Sequence, residues 1–245
     1  MIEIRKPDEI YQAYGRIKHG TFNGHWHFSF GENYDPNNIH FGTLRVFNDD
    51  TLSPGAIWPL HHHTKNEVVT YCAEGTFKHA DENGEGGILK KGWVQHTTIG
   101  TGMEHSEINN NPDKPMRFIQ MWFFPEKLGL TPSVEQMEVE KIDRTNKFLK
   151  LVSKHDKSVL PIRSDANVYS SFLEKEQNIT FQIQDKWGVY LYILEGGPVH
   201  LNNHNLEQLS AAKIKNENKI NLHSESDTEI LLIETYLQAD YISKY

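Results

Sequence analysis

The chain has 245 residues, of which 37% are hydrophobic and 24% are charged. This composition is that of an ordinary globular protein, and it excludes a largely disordered chain. The formal net charge of -8 argues against a general affinity for nucleic acid or an anionic membrane, since both require a concentrated basic surface. No stretch holds the ~18 consecutive apolar residues that a membrane span needs. We therefore expect neither nucleic acid nor a membrane as a partner.

The amino terminus and the cysteine content both bear on cellular location. Residues 1–8 lack the apolar segment of a signal peptide. The single cysteine, Cys72, excludes an intramolecular disulfide and fits a reducing compartment. Its place in an apolar run predicts a small buried side chain and not a nucleophile. We expect a cytoplasmic protein.

The first half of the chain shows a succession of strand signals. Strands are predicted at residues 2–4, 42–48, 67–75, 88–100 and 116–125. The acidic pair Asp49-Asp50 is expected to end the second of these strands, and residues 81–84 are expected to form a hairpin turn. Short strands with Gly-rich turns and almost no helical periodicity indicate an all-β sandwich or barrel.

The second half repeats this pattern after a polar connector. Strands are predicted at residues 148–152, 159–162, 167–173, 179–183, 188–194 and 229–235. The run that ends in Glu195-Gly196 resembles the earlier run that ends in Glu74-Gly75, which indicates an internal repeat. The prediction is therefore an all-β protein of two tandem β-barrel domains: residues 1–130, a linker at residues 131–146, and residues 147–245.

A metal-ligand pattern lies within the first half. Residues two apart on a strand point to the same face. His61 and His63 therefore share a face, and so do His105 and Glu107. If the two segments face each other inside a barrel, three imidazoles and one carboxylate converge. This ligand set suits a transition metal and not the all-oxygen coordination that Ca²⁺ prefers.

A His-x-His pair alone is weak evidence, because 14 His in 245 residues produce roughly 0.8 such pairs by chance. The surrounding frame is more specific. It consists of Gly55, Glu67 and the later segment Gly100-Thr-Gly102-Met-Glu104-His105-Ser106-Glu107. This frame resembles the motif pair of the cupins and, more narrowly, the pirin branch of that superfamily.

The resemblance implies a bicupin, with two tandem jelly-roll barrels of which the first holds the metal. It also implies that His61, His63, His105 and Glu107 are the metal ligands. The implied cofactor is one divalent transition metal, with Fe(II) as the first choice and Ni, Mn, Co, Cu or Zn as alternatives. The second domain lacks the ligand set, because its nearest counterpart is an isolated His223-x-Glu225 fragment, which is expected at the surface.

Several pirin-like proteins are described as quercetin 2,3-dioxygenases, and the vertebrate member is described as an iron-dependent nuclear cofactor. The resemblance thus implies a metal-dependent dioxygenase, acting as a monomer on a flavonol and dioxygen. The flavonol would bind the metal through its 3-hydroxyl, and Glu107 would be the catalytic residue that accepts the hydroxyl proton. Two alternatives stay open: a non-catalytic metal-binding regulatory protein that acts through a protein partner, and a barrel that the metal only stabilises.

The sequence also allows predictions about five further residues. His62 replaces the Pro that is usual in the family, and by alternation it faces away from the metal, in a supporting or surface role. His96 replaces an aromatic residue and either lines the pocket or packs with its neighbours. Glu67 stands where other cupins hold a third ligand and is expected to orient an imidazole. His25 and His27 are expected to pack against the barrel.

Overall fold

The computed structural model describes residues 1–81 and 86–245, and within these ranges the chain is almost entirely β-structure. The all-β prediction is therefore confirmed. Most of the hairpin turn expected at residues 81–84 falls on residues 82–85, which lie outside the described ranges. No helix in the described ranges is long and apolar enough to cross a membrane.

The first half contributes the strands up to residue 137. They are β1 (Ile2–Arg5), β2 (Tyr11–Ile17), β3 (Gly20–Trp26), β4 (Leu44–Leu52), β5 (Ile57–His63), β6 (Glu67–Glu74), β7 (Thr76–Asp81), β8 (Ile88–Lys90), β9 (Val94–Thr98), β10 (Met103–Asn109), β11 (Met116–Phe123) and β12 (Ser133–Met137).

The second half contributes the remaining strands. They are β13 (Leu149–Ser153), β14 (Leu160–Pro161), β15 (Ala166–Leu173), β16 (Asn178–Gln182), β17 (Trp187–Glu195), β18 (Val199–Leu201), β19 (His204–Leu206), β20 (Ala211–Ile214), β21 (Lys219–Ser224) and β22 (Thr228–Tyr236). Three short 3-10 helices complete the described structure, at Pro7–Glu9, Lys141–Arg144 and Asp240–Lys244.

Each half combines a seven-stranded sheet with a four-stranded sheet. In the first half the strand orders are β12-β9-β6-β11-β4-β3-β2 and β5-β10-β7-β8. In the second half they are β1-β20-β17-β22-β15-β13-β14 and β16-β21-β18-β19. The repeat seen in the sequence is also present in the backbone, because Gly75 and Gly196 end the matching strands β6 and β17 with φ of 75° and 81°. Glycine adopts this left-handed conformation without steric cost.

Two strands cross the domain boundaries proposed from the sequence. β1 pairs with β20, so residues 2–5 belong to the sheet of the second half. β12 lies inside the proposed linker at residues 131–146, yet it pairs with β9 in the sheet of the first half. Each of the two strands lies at the edge of its sheet and covers backbone groups that would otherwise be unpaired. The boundaries 1–130, 131–146 and 147–245 remain a proposal.

The largest buried apolar cluster joins the two halves. It contains Phe47 and Ile119 from the first half together with Tyr190, Tyr192 and Ile233 from the second. The central strands of both seven-stranded sheets are therefore covered on both faces, which explains their nearly continuous burial. The interior of each barrel holds separate apolar clusters.

The expectation that Asp49 and Asp50 end a strand is wrong. β4 runs through both residues, and both side chains are buried. Asp49 accepts a hydrogen bond from the Arg117 guanidinium at 2.8 Å, and Asp50 accepts one from the Trp26 indole N–H at 3.0 Å. Partners from neighbouring strands thus replace water around the two carboxyl groups, which is the condition for burying them.

Candidate metal centre

The four-stranded sheet of the first half positions the predicted ligands. β10 lies between β5 and β7, and His105 is directly opposite His61. The register then shifts, so that Glu107 pairs with Trp58 and two residues of β5, Pro59 and Leu60, lie opposite the single residue Ser106. Proline has no N–H to give to the ladder, and a β-bulge is where a strand tolerates it. His105 and Glu107 both point inward and are 3% exposed.

The three imidazoles of the predicted set lie together. One ring nitrogen each from His61, His63 and His105 falls within 4.8 Å of the others. The ring centroids are separated by 4.6 Å, 4.7 Å and 5.1 Å. Glu107 lies at the edge of this group, with its Oε1 4.0 Å from Nε2 of His105. The structure thus brings the four predicted side chains to one end of the barrel interior.

The free ring nitrogens of this cluster fit a metal ion. The Nε2 atoms of His63 and His105 are buried, and neither has a hydrogen-bond partner among the described residues. The other ring nitrogens of His61 and His105 are used: Nδ1 of His61 lies 2.7 Å from the carbonyl oxygen of Pro59, and Nδ1 of His105 lies 2.8 Å from Nε2 of His79. A ligating imidazole is normally held in this way through the nitrogen that does not bind the metal. The donor set therefore suits a divalent transition metal.

His79 was missed as a site residue by the sequence analysis. It lies on β7 opposite Glu107, and its ring is 2% exposed. The signal was present, because His79 is two residues from the buried Phe77 and must share its inward face.

Gln120 and Trp122 form a chain of hydrogen bonds that ends at Glu107, and the sequence did not reveal this chain. The Gln120 amide nitrogen donates a hydrogen bond to Oε1 of Glu107. Nε1 of Trp122 in turn donates to the amide oxygen of Gln120 at 3.0 Å. An indole N–H can only donate, so it sets the orientation of the amide and directs the NH₂ group to the carboxylate. Glu107 is therefore held as a hydrogen-bond acceptor.

Burial shifts the pKa of four side chains in and beside the cluster. It lowers the pKa of His63 and of His79 to about 4, and that of His105 to about 2. The imidazoles of His63, His79 and His105 are therefore neutral near pH 7, and a ligating imidazole must be neutral. Burial raises the pKa of Glu107 to about 7, although the hydrogen bond from Gln120 opposes this shift. A bound cation would lower the pKa of this carboxyl group.

A small cavity of about 90 Å³ adjoins the cluster. His61, His63 and Glu107 form part of its wall. The remaining lining residues are Phe30, Asn48, Asp50, Trp58, Phe118, Gln120 and Trp122. The wall thus combines four large aromatic side chains with six polar side chains, three of which are predicted metal ligands.

The structure also places the other residues discussed above. His62 is exposed, on the opposite face of β5 from its neighbours. Glu67 does orient an imidazole, but that imidazole belongs to His96 and not to the cluster: their Oε2 and Nε2 atoms are 2.8 Å apart, and both side chains are fully buried. Glu67 also accepts a hydrogen bond from the backbone N–H of Arg163 at 2.9 Å, which ties it to the second half. The buried His27 likewise contacts the second half, with its Nδ1 2.7 Å from the Tyr190 hydroxyl.

The fragment His223-x-Glu225 lies on the outer side of the second barrel. Its neighbours Leu222 and Ser224 are buried, whereas a third of the His223 side chain is exposed. Glu225 contacts His200, also at the surface, at 2.5 Å. Among the residues that the structure describes, His61, His63 and His105 are the only group of three potential ligands that meets at one point.

Comparison with known proteins identifies the family. Residues 9–123 match the family model described as Pirin, and residues 150–235 match the one described as Quercetinase C-terminal cupin domain. The chain is 35% identical to the "Pirin-like protein" of Caulobacter vibrioides over 94% of its own length and 98% of the relative's. It is 33% identical to a protein of Escherichia coli named "Quercetin 2,3-dioxygenase", over 96% and 98% of the two lengths.

A solved structure agrees with these sequence matches. The bacterial pirin YhhW from Escherichia coli, determined in complex with nickel(II), is 30% identical to this chain and superimposes with a TM-score of 0.88. The superposition covers 97% of this chain and all of the other. The sequence and fold agree over nearly the full length, and the chain is therefore a member of the pirin family of cupins.

Proposed function

We propose that this protein is a metal-dependent dioxygenase that cleaves flavonols such as quercetin at the 2,3 bond. The observation that carries the proposal is the inward-facing group of three imidazoles, with buried free nitrogens and a carboxyl group 4.0 Å away. Relatives of nearly the same length carry the name quercetin 2,3-dioxygenase, which supports the same activity here.

We assign one divalent transition metal to His61, His63, His105 and Glu107. Fe(II) is the first choice, with Ni, Mn, Co, Cu or Zn as alternatives, and the nickel complex of the similar bacterial pirin supports a divalent ion. When bound, the ion supplies a Lewis acid that binds and polarises substrate oxygen. Four protein ligands leave room for exogenous ligands on a six-coordinate ion, whereas a structural zinc site is closed.

The side chains around the metal have separate tasks. Glu107 accepts the proton of the flavonol 3-hydroxyl. Burial raises the pKa of its carboxyl group and a bound cation would lower it, so the metal-loaded carboxyl group would be deprotonated at neutral pH, as a general base must be. Gln120 donates a hydrogen bond to one oxygen of this carboxylate, which fixes the orientation of the group. Phe30 and Trp122 exclude water from the cavity, which strengthens the polar interactions inside it. The buried Cys72, whose pKa burial raises to about 11, takes no part, and it is consistent with our proposal of a reducing, cytoplasmic location.

The test compares two neighbouring histidines on opposite faces of β5. Metal-free protein is loaded separately with each of the six candidate ions, Fe(II) under argon, and mixed with quercetin in air. Loss of the flavonol absorption band is then followed for the wild type, His63→Ala and the matched control His62→Ala. We expect metal-dependent loss in the wild type and in His62→Ala, and none in His63→Ala. Equal loss in all three proteins would refute the proposal.

One observation favours a second function. The cavity beside the cluster has a volume of about 90 Å³, which is below the 300–1,000 Å³ of typical small-molecule sites. A non-catalytic protein that binds a metal and regulates a protein partner needs no larger cavity. Tight metal binding that depends on His63, without turnover of quercetin by any of the metal-loaded forms, would favour this alternative.

A further inference from the structure

A second, larger chamber lies next to the metal cavity. Its volume is about 360 Å³, and Phe30 and Trp122 line both spaces. The two rings meet edge to face, with centroids 5.3 Å apart, and the Trp122 ring also lies 4.7 Å from the ring of His63. This aromatic pair therefore forms the boundary between the metal cavity and the outer chamber.

The sizes of the two spaces limit how a ligand can bind. The inner cavity holds only a small head group, since complete small-molecule sites occupy about 300–1,000 Å³. A molecule that reaches the metal and has further rings must place them beyond the inner cavity. The outer chamber is large enough for a ring, and it shares its inner wall with the metal cavity.

The far wall of the outer chamber is aromatic. The rings of Phe124 and Tyr245 are nearly parallel, with centroids 5.3 Å apart. The Tyr245 hydroxyl donates a hydrogen bond to the carbonyl oxygen of Pro125 at 2.9 Å, which holds the ring in place. A planar ring entering the chamber meets aromatic surfaces on two sides, and offset or edge-to-face contacts of this kind are favourable.

The charged side chains that line the outer chamber are positive among the described residues. Arg45 and Lys65 line it, and no Asp or Glu side chain in the described ranges does. Arg45 donates hydrogen bonds to the carbonyl oxygens of Ser29 and Ile39. Within residues 1–81 and 86–245, neither Arg45 nor Lys65 forms an ion pair with a carboxylate. Both positive charges thus remain available to an anionic ligand.

We propose that the ligand occupies both spaces: a metal-chelating head group fills the inner cavity, and a second aromatic ring bearing a negative charge lies in the outer chamber near Lys65. This inference rests on the proposed function and narrows its substrate class to flavonols, or similar two-part aromatic chelators, with an anionic substituent on the ring remote from the chelating oxygens. Phe30 and Trp122 are specificity-determining residues in this arrangement, because the link between head and ring must pass them.

The test measures binding under argon to the nickel-loaded protein, so that turnover does not interfere. The probes are 3-hydroxyflavone, its 4′-carboxylate, and a single-ring 3-hydroxy-4-pyrone. The key variant is Lys65→Gln, and the matched control is Lys186→Gln. Both lysines are exposed and adopt a left-handed backbone conformation, with φ of 62° and 65°, but Lys186 lies in the second half of the chain.

We expect the carboxylate to bind the wild type about three- to fivefold more tightly than the neutral flavone, the size of an exposed ion pair. Lys65→Gln removes this preference and Lys186→Gln retains it. A second variant, Tyr245→Ala, weakens the binding of both flavones and leaves the pyrone unchanged, because the pyrone does not reach the outer chamber.

Three results would overturn the inference: no preference for the carboxylate, the same preference in Lys65→Gln, or equal loss of pyrone and flavone binding in Tyr245→Ala. The inference and the proposed function fail separately. Turnover of quercetin without charge-selective binding refutes the anion-binding role of the outer chamber and leaves the dioxygenase proposal standing. Charge-selective binding without turnover supports the outer chamber as an anion site and refutes the dioxygenase proposal.

Discussion

The contact between His79 and His105 allows a quantitative prediction about the metal centre. The substitution His79→Phe keeps an aromatic ring in the space and removes the 2.8 Å hydrogen bond to Nδ1 of His105. That nitrogen is then buried without a partner, which costs about 1–3 kcal/mol. That cost falls on the folded protein both with and without the ion. Metal affinity falls because His105 is no longer held in the orientation that presents its other nitrogen to the ion, and loss of such a supporting contact typically costs about 10- to 100-fold.

The measurement is a competition titration of Ni²⁺ against a chromogenic chelator at pH 7.5. We expect His79→Phe to bind Ni²⁺ about 10- to 100-fold more weakly than the wild type, and His79→Gln, whose amide can restore the hydrogen bond, to recover part of the loss. The control His62→Ala changes an exposed residue and should bind Ni²⁺ like the wild type. A His79→Phe protein that is folded, as judged by circular dichroism, and binds Ni²⁺ within twofold of the wild type would refute the reasoning.

Three further predictions concern stability and reactivity. Burial holds the pKa of His27 well below 6.5. Below pH 6.5 the unfolded chain therefore binds a proton that the folded protein excludes, so the unfolding free energy falls as the pH falls. His27→Gln should make this fall less steep by about 1.4 kcal/mol per pH unit. Equal slopes for the two proteins in urea titrations from pH 6.5 to 5 would contradict this. Arg117→Met leaves the buried Asp49 carboxylate without its cation and should lower the unfolding free energy by about 3–5 kcal/mol, whereas adding Asp49→Asn should restore part of it in the same urea titration. Cys72 is fully buried, and burial raises its pKa to about 11, so it should react with a thiol reagent only in denaturant; rapid labelling of the native protein would show that the thiol is accessible.

The alternation of side chains along each strand allowed much of the site to be predicted. A period of two places His61 and His63 on one face of β5, and it places His105 and Glu107 on one face of β10. The same rule applied to Phe77 and His79 would have placed the His79 ring inside the barrel, although not in contact with His105. Gln120 had no such local sign, because its importance comes from a contact with Glu107 on the preceding strand, and β10 and β11 belong to different sheets.

Predictions about individual polar residues failed where the partner lay on another strand or in the other half. Asp49 and Asp50 have the composition of a turn, yet Arg117 and Trp26 allow them to remain buried within β4. Glu67 stands close to the motif in sequence, yet its hydrogen bonds go to His96 and to the backbone of the second half.

The sequence by itself determined the all-β class, the internal repeat and the direction in which each predicted ligand points, because these follow from local periodicity and turn chemistry. Only the tertiary structure decided which groups meet across the barrel, that β1 joins the sheet of the second half, and that an aromatic pair separates the metal cavity from an outer chamber. The physical reason is that a strand's own residues fix which face each side chain takes, whereas its neighbour across the barrel depends on packing between segments far apart in the chain.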